Sequence, residues 1–206
     1  MDSNPFPMRW LVIDTDAGVD DAVALALAIK LAASYHACLK LVTTSHGNTD
    51  EKLVFQNVHK TIYSSLSSVS PPSSSIVAVD PATASTIDTT VTPDGFTSVL
   101  MTTQSIKVAR GAKGPLNGSI PIDAQYFHGY DGLGDVSTDV LSFPEEFWNE
   151  QLSVNSSEGA VSAIIALCVE AKAVGVEVVF VTLGPLTNLA LTIQQMQQVS
   201  AYFLRE

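Results

Sequence analysis

The stretch Trp10-Leu11-Val12-Ile13-Asp14-Thr15-Asp16-Ala17-Gly18-Val19-Asp20-Asp21 decides how the rest of the chain is read. Four consecutive apolar residues run directly into carboxylates, as in a short parallel strand buried on both faces. Gly18 permits a tight turn without a Cβ penalty. Asp20 and Asp21 then open an Ala- and Leu-rich segment, residues 20–33, where two acids suit the positive end of a helix. That helix is apolar on nearly every face, so it is expected to be well buried. In open α/β proteins ligands bind at the carboxyl edge of the sheet, which is where Asp14 and Asp16 fall. Four acids converging there would repel one another unless a cation or raised pKa values neutralised part of the charge. Oxygen donors alone favour a hard ion, Ca²⁺ or Mg²⁺.

Other readings of the cluster are a solvated acidic loop with helix-capping aspartates, or an aspartyl-phosphate enzyme with Asp14 or Asp16 as nucleophile. Capping accounts for Asp20 or Asp21 but not for all four acids. A phosphoryl site would need cations, which are sparse near the predicted strand ends. The spacing is not that of an EF-hand, and the chain has no GxxxxGK, GxGxxG after its first strand, GxSxG, Cys-x-x-Cys or HExxH motif.

Strand and helix signals continue to alternate along the chain. Leu39 to Thr44 reads as a second strand, Ser45-His46-Gly47-Asn48 as a turn, residues 50–66 as a helix and Ile76 to Val79 as a short third strand. Residues 64–98, rich in Ser, Pro and Thr, read as a long irregular surface excursion. Residues 98–109 are compatible with helix or extended chain. A helix through Lys172, a buried strand at 176–181 and a helix beginning at Leu189 complete the pattern. Such βαβ repetition predicts an open three-layer α/β/α fold with a mainly parallel, Rossmann-like sheet.

Composition narrows the classes of partner. The 206 residues are 46% hydrophobic, which excludes disorder as the overall description. Lys and Arg total 10 against 21 Asp and Glu, a formal net charge of −11 that disfavours nucleic acid and attracts cations. Cys38 and Cys168 make no disulfide framework. The longest apolar run is interrupted by Lys30 and is too short for a membrane span, and the N-terminus is a poor signal peptide. A cytoplasmic protein with no membrane partner is the default expectation.

Four motifs carry a family resemblance. DTDAGVDDAVALALA (14–28) resembles the N-terminal signature of the inosine-uridine preferring nucleoside hydrolases, Asp-x-Asp-Pro-Gly-x-Asp-Asp-x-x-Ala. TTSHGN (43–48), FHGYDGLGD (127–135) and LGPLTNLAL (183–191) are similar to three further motifs of that family, in its order. The resemblance implies calcium-dependent hydrolysis of the N-glycosidic bond of ribonucleosides, in purine or pyrimidine salvage, with a small neutral nucleoside as substrate. Carried over residue by residue, it implies that Asp16 binds Ca²⁺ and activates water, and that Asp21 and the Leu183 backbone carbonyl are further calcium ligands. Asp20 and Asn48 would contact the ribose, His128 would lie near the base, and Asp14 would support the cluster.

Ala17 departs from the family's proline, a change expected to loosen the loop slightly. The resemblance also implies that the family's fold continues past Glu206, into segments carrying another calcium-binding aspartate and the leaving-group residue. On that reading residues 1–206 form one incomplete, apparently truncated domain with an insertion at about 64–98. An exposed sheet edge would then favour self-association or a homo-oligomer. The alternative is a non-catalytic paralogue acting as a calcium-binding or interaction protein. Taken singly, Asn48 could cap a helix and His128 could be a structural loop residue. His46, Asp131 and Asp135 read as loop-shaping residues. Thr187 and Asn188 read as satisfying backbone groups where the last helix begins.

Overall fold

The computed structural model describes residues 7–67, 89–91, 97–99, 106–118, 124–135 and 159–203. Strand β1 (Arg9–Thr15) leads into helix α1 (Val19–Leu31), then a 3-10 turn (Ala32–Tyr35), β2 (Ala37–Thr44) and α2 (Glu51–Ser67). Two short strands, β3 (Thr89–Val91) and β4 (Thr97–Val99), pair antiparallel as a separate ladder. After them come β5 (Lys107–Ala109), the single-turn α3 (Gln125–His128), α4 (Ala160–Val174), β6 (Glu177–Thr182) and α5 (Thr187–Phe203).

The main sheet has the order β5-β2-β1-β6, and every pairing in it is parallel. β1 is central, so its apolar run is covered on both sides, and Val12 and Ile13 are buried. Alternate residues point to opposite faces. Ile13 and Val42 pack with Leu25 and Ile29 of α1 and with Val54, Phe55 and Val58 of α2. Val12 and Leu41 pack on the other face with Ala163, Ile164 and Leu167 of α4. Two cores separated by one sheet make the three-layer α/β/α arrangement that the alternation of elements predicts.

The chain first builds outward from β1 to β2 and β5, and then returns to place β6 on the opposite side of β1. The strand order therefore reverses between β1 and β6. At such a reversal the connections diverge from the carboxyl ends of the two strands and leave a crevice. Asp14, Asp16, Leu183 and Gly184 stand at that crevice.

Some expectations are corrected. The strand beside β2 is Lys107–Ala109, while Ile76 to Val79 lies outside the described residues. Three residues are too few to show a periodicity, which is why the sequence leaves this segment open between helix and extended chain. Part of the stretch expected to be irregular forms the β3–β4 ladder. Helix α1 is buried along one face only: Val19, Val23, Leu27 and Leu31 are 44–57% exposed. Their four-residue spacing makes one continuous outer stripe, opposite the Leu25–Ile29 face that meets the core.

Candidate active site

The acids are gathered by their partners rather than spread into solvent. Asp14, Asp16 and Asp21 are all buried. Asp14, the penultimate residue of β1, lies opposite Thr43 of β2, whose hydroxyl donates to Asp14 Oδ1 at 2.5 Å. The Asn188 amide donates to the same oxygen at 2.8 Å. Asp14 Oδ2 is buried with no hydrogen-bond partner among the described residues. Burial raises the Asp14 pKa, against the lowering effect of those two donors.

Asp16 lies in a cradle of backbone. A Cβ on Gly47 would collide with its carboxylate, and one on Gly184 would stand 2.8 Å from its Oδ1. Glycine at both positions lets the two turns close on the acid. The Asn48 backbone N–H donates to Asp16 Oδ2 at 3.0 Å. Burial, then the nearby charge of Asp21, pushes the Asp16 pKa up to about 6.

Asp21, in the first turn of α1, accepts from the Thr15 hydroxyl at 2.9 Å, the Gly18 N–H at 3.1 Å and the Asn48 side-chain amide at 3.1 Å. Burial still dominates and raises its pKa. Asn48 thus bridges Asp16 through its backbone and Asp21 through its side chain, rather than capping the helix that follows it.

Leu183, immediately after β6, donates its N–H to the Asp14 carbonyl at 2.7 Å, which draws the 183–184 backbone onto the cluster. His128 is buried, and its Nδ1 accepts the Val19 N–H at 3.2 Å. That bond leaves Nε2 to carry the ring proton of the neutral form, 3.9 Å from Asp20 Oδ1. Asp20 itself is 82% exposed, so it stands at the rim while Asp14, Asp16 and Asp21 form the floor.

The structure therefore brings all the sequence-selected positions to one sheet edge: Asp14, Asp16, Asp20, Asp21, Asn48, His128 and the Leu183 backbone. Asp131 and Asp135 fasten their own loop, Asp131 Oδ1 accepting from Leu133 and Asp135 and Asp135 Oδ1 from Asp131. Asn57 of α2 holds that loop against the acidic turn, donating to the Asp131 carbonyl at 2.7 Å and the Ala17 carbonyl at 3.4 Å. His46 is buried with both ring nitrogens unpartnered among the described residues, and burial lowers its pKa.

Three features escape sequence reasoning. Thr43 shows itself as a partner of Asp14 only once the β1–β2 register is known. Asn188 does not serve its own helix: it donates to Asp14 and to the Thr44 carbonyl at 2.9 Å, and accepts the Ala112 N–H at 2.9 Å. Ala17 does more than loosen a loop. Its φ is +40°, which proline cannot adopt, and its N–H donates to the Thr15 hydroxyl at 3.0 Å, which proline could not do.

The donor chemistry suits a hard divalent cation: buried carboxylates, one orphaned carboxylate oxygen, and pKa values raised by burial and mutual repulsion. No three His, Cys, Asp or Glu side chains among the described residues converge into a ready-made shell. Backbone carbonyl oxygen and water would therefore have to supply part of the coordination. No helix among the described residues is long and apolar enough to cross a membrane.

The chain is 28% identical over 185 residues to uridine nucleosidase 1 of Arabidopsis thaliana, covering 90% of this chain and 40% of that protein. It is 26% identical over 187 residues to probable uridine nucleosidase 2 of Oryza sativa subsp. japonica, with the same coverage. The chain thus spans about two fifths of the length of these curated relatives. In fold it is similar to a plant nucleoside hydrolase, the PpNRh1 enzyme, at 24% identity and TM-score 0.60. It is also similar to an inosine-guanosine nucleoside hydrolase at 24% identity and TM-score 0.61. Each of these two likenesses covers 91% of this chain and 43% of the other. The inosine-uridine preferring nucleoside hydrolase family matches residues 11–95 and 82–203, so the chain belongs to that family.

Proposed function

We propose that this chain carries the calcium-binding and ribose-binding half of a ribonucleoside hydrolase, which cleaves the N-glycosidic bond to give ribose and a free base. The observation that carries the reading is the burial of Asp14, Asp16 and Asp21 together at the β1/β6 crevice, with Asn48 joining two of them. Asp16, Asp21 and the Leu183 carbonyl would hold Ca²⁺. Bound there, the ion would supply a fixed positive charge and lower the pKa of a water molecule.

Asp16 accepts the proton of the water that attacks the anomeric carbon. As the bond to the base breaks, positive charge grows on the ribose ring, and the surrounding carboxylates stabilise that oxocarbenium-like state. Asp20 at the rim and the Asn48 side chain orient ribose hydroxyls, and buried Asp14 sets the end of β1 behind them. His128, its Nδ1 engaged by Val19, presents Nε2 toward Asp20 at the base end of the pocket.

A 5′-phosphate would add negative charge beside an already acidic cluster, so a neutral nucleoside is the substrate and nucleotides are disfavoured. The reaction suits purine or pyrimidine salvage in the cytoplasm. The exposed stripe of α1 favours self-association of the chain.

A second reading is favoured by one observation, the span of two fifths of the curated relatives. Residues outside that span would be needed for turnover, and without them the same cluster would bind calcium without catalysis. Incubation with inosine and with uridine, in calcium and in chelator, separates the two. Calcium-dependent release of free base that is lost in Asp16→Asn supports the hydrolase. Calcium binding without base release supports the second reading, and cleavage of nucleotides but not nucleosides overturns the substrate assignment.

A further inference from the structure

We infer that Asn188 is a positioning residue for the acidic cluster, holding three chain segments in the one arrangement that lets Asp14 and Asp16 face the crevice. This deepens the reading above, since it names a side chain that sets the site without touching substrate.

Asn188 is 1% exposed, and both ends of its amide are used. Its Nδ2 spans the ends of the two central strands, donating to Asp14 Oδ1 on β1 and to the Thr44 carbonyl on β2. Its Oδ1 accepts the Ala112 N–H from the turn after β5. One primary amide thereby serves two acceptors and one donor on three segments at once. A hydrophobic side chain of similar size could satisfy none of them.

The hold reaches Asp16 through the backbone. The segment 183–188 grips β1 twice, by the Leu183 N–H on the Asp14 carbonyl and by the Asn188 amide on the Asp14 carboxylate. Between those anchors lies Gly184, whose Cα faces Asp16 so closely that a Cβ would stand 2.8 Å from Oδ1 and 3.0 Å from the Asp16 nitrogen. The approach of the 183–184 backbone to Asp16 therefore depends on both anchors. Asn188 also fixes how the two Asp14 oxygens are used. With Thr43 it occupies Oδ1, which leaves Oδ2 as the buried oxygen without a partner.

The structure supplies a control of a different kind. Thr192 is equally buried and donates its hydroxyl to the Asn188 carbonyl, a bond internal to α5. Thr192→Val removes that bond while the Asn188 side chain keeps its own bonds to β1, β2 and Ala112.

Hydrogen exchange followed by NMR on the folded chain, in chelator, tests the inference without calcium or substrate. In Asn188→Ala the amides of Ala112, Leu183 and Ser45 should lose protection together, by at least tenfold relative to Thr192→Val. Asn188→Asp, which keeps the volume and the acceptor but not the donors, should leave Ala112 protected while Leu183 and Ser45 loosen. This second variant keeps the test decisive if the alanine variant fails to fold. Equal protection in Asn188→Asp and Thr192→Val overturns the inference and leaves Asn188 a helix-start residue.

Calcium titration then reads the effect on the site. Loss of Asn188 should weaken binding by roughly 10- to 100-fold, as for other residues that orient metal ligands. The effects of Asn188→Ala and Asp14→Asn should also be non-additive, because one acts through the other. Additive effects overturn the inference. If the unmodified chain binds no calcium, the functional reading fails, and the exchange measurements still decide the role of Asn188.

Discussion

Ala17 carries the cost of the acidic turn. A φ of +40° brings an L-residue's Cβ against the backbone, at about 1–2 kcal/mol. The turn keeps this conformation because the Ala17 N–H is taken by Thr15 and its carbonyl faces the Asn57 amide. Ala17→Gly should therefore be neutral to stabilising, by up to about 1 kcal/mol. Ala17→Pro should destabilise by about 2–3 kcal/mol, because it forces φ to the wrong sign and removes a donor. Urea denaturation of the two variants checks both, and a stabilising proline would show that the turn has another conformation. Asp16 gives the residue-scale pH dependence. Its pKa rises from 3.8 in the unfolded chain to about 6 in the fold, so the folded state prefers the protonated acid. Its contribution is most favourable below pH 4 and is lost as pH rises through 6. Asp16→Asn removes this titration, so in chelator the variant should gain stability over the parent between pH 4 and 7, by an upper limit of about 3 kcal/mol. A gap in urea stability that stays constant with pH would refute the raised pKa.

At the scale of elements, what could be read from the sequence was what the chain encodes locally. The β1 apolar run, the turn with Gly18 and the acid-led start of α1 lie within two dozen residues, and each follows from short-range chemistry. The acidic floor of the site was legible for the same reason, since Asp14, Asp16 and Asp21 share one strand–turn–helix unit. Strand β5 was not, because three residues carry no period and its place beside β2 is decided by packing of Val108 and Ala109 into the cores on either face. Asn188 does satisfy backbone groups, as a helix-start asparagine is expected to, but those of Thr44 and Ala112 rather than of its own helix, and its third partner is the Asp14 carboxylate. The apolar character of helix α1 predicts burial, and its outer stripe shows that composition fixes how much a helix has to bury but not what buries it. His128 shows the converse. A residue selected for the base end of the pocket also receives the first free amide of α1, so the loop that bears it is part of how that helix starts.

For the whole molecule, two features of the described residues bear on association: the outer stripe of α1 and the β6 edge. Among the described residues β6 has one neighbour, β1, and its residues from Val178 to Thr182 are half-buried. An open parallel edge and a four-residue aliphatic stripe both gain from a partner. Light scattering on the purified 21.8 kDa chain should give a mass above that of the monomer. Leu27→Glu, in the middle of the stripe, should lower it at equal concentration, since a charge there opposes burial. A stable monomer of the parent chain would count against self-association. The distances in sequence between the site's partners carry a further consequence, for the order in which the chain matures. Asp14 and Asn188 are 174 positions apart, and Val19 and His128 are 109 apart. At a synthesis rate of roughly 5–20 residues per second, the acids leave the ribosome about ten seconds or more before the amide that organises them. During that interval they are solvated, charged and free to hold whatever cation the surroundings offer, so a nascent chain can meet a cation before it has a pocket.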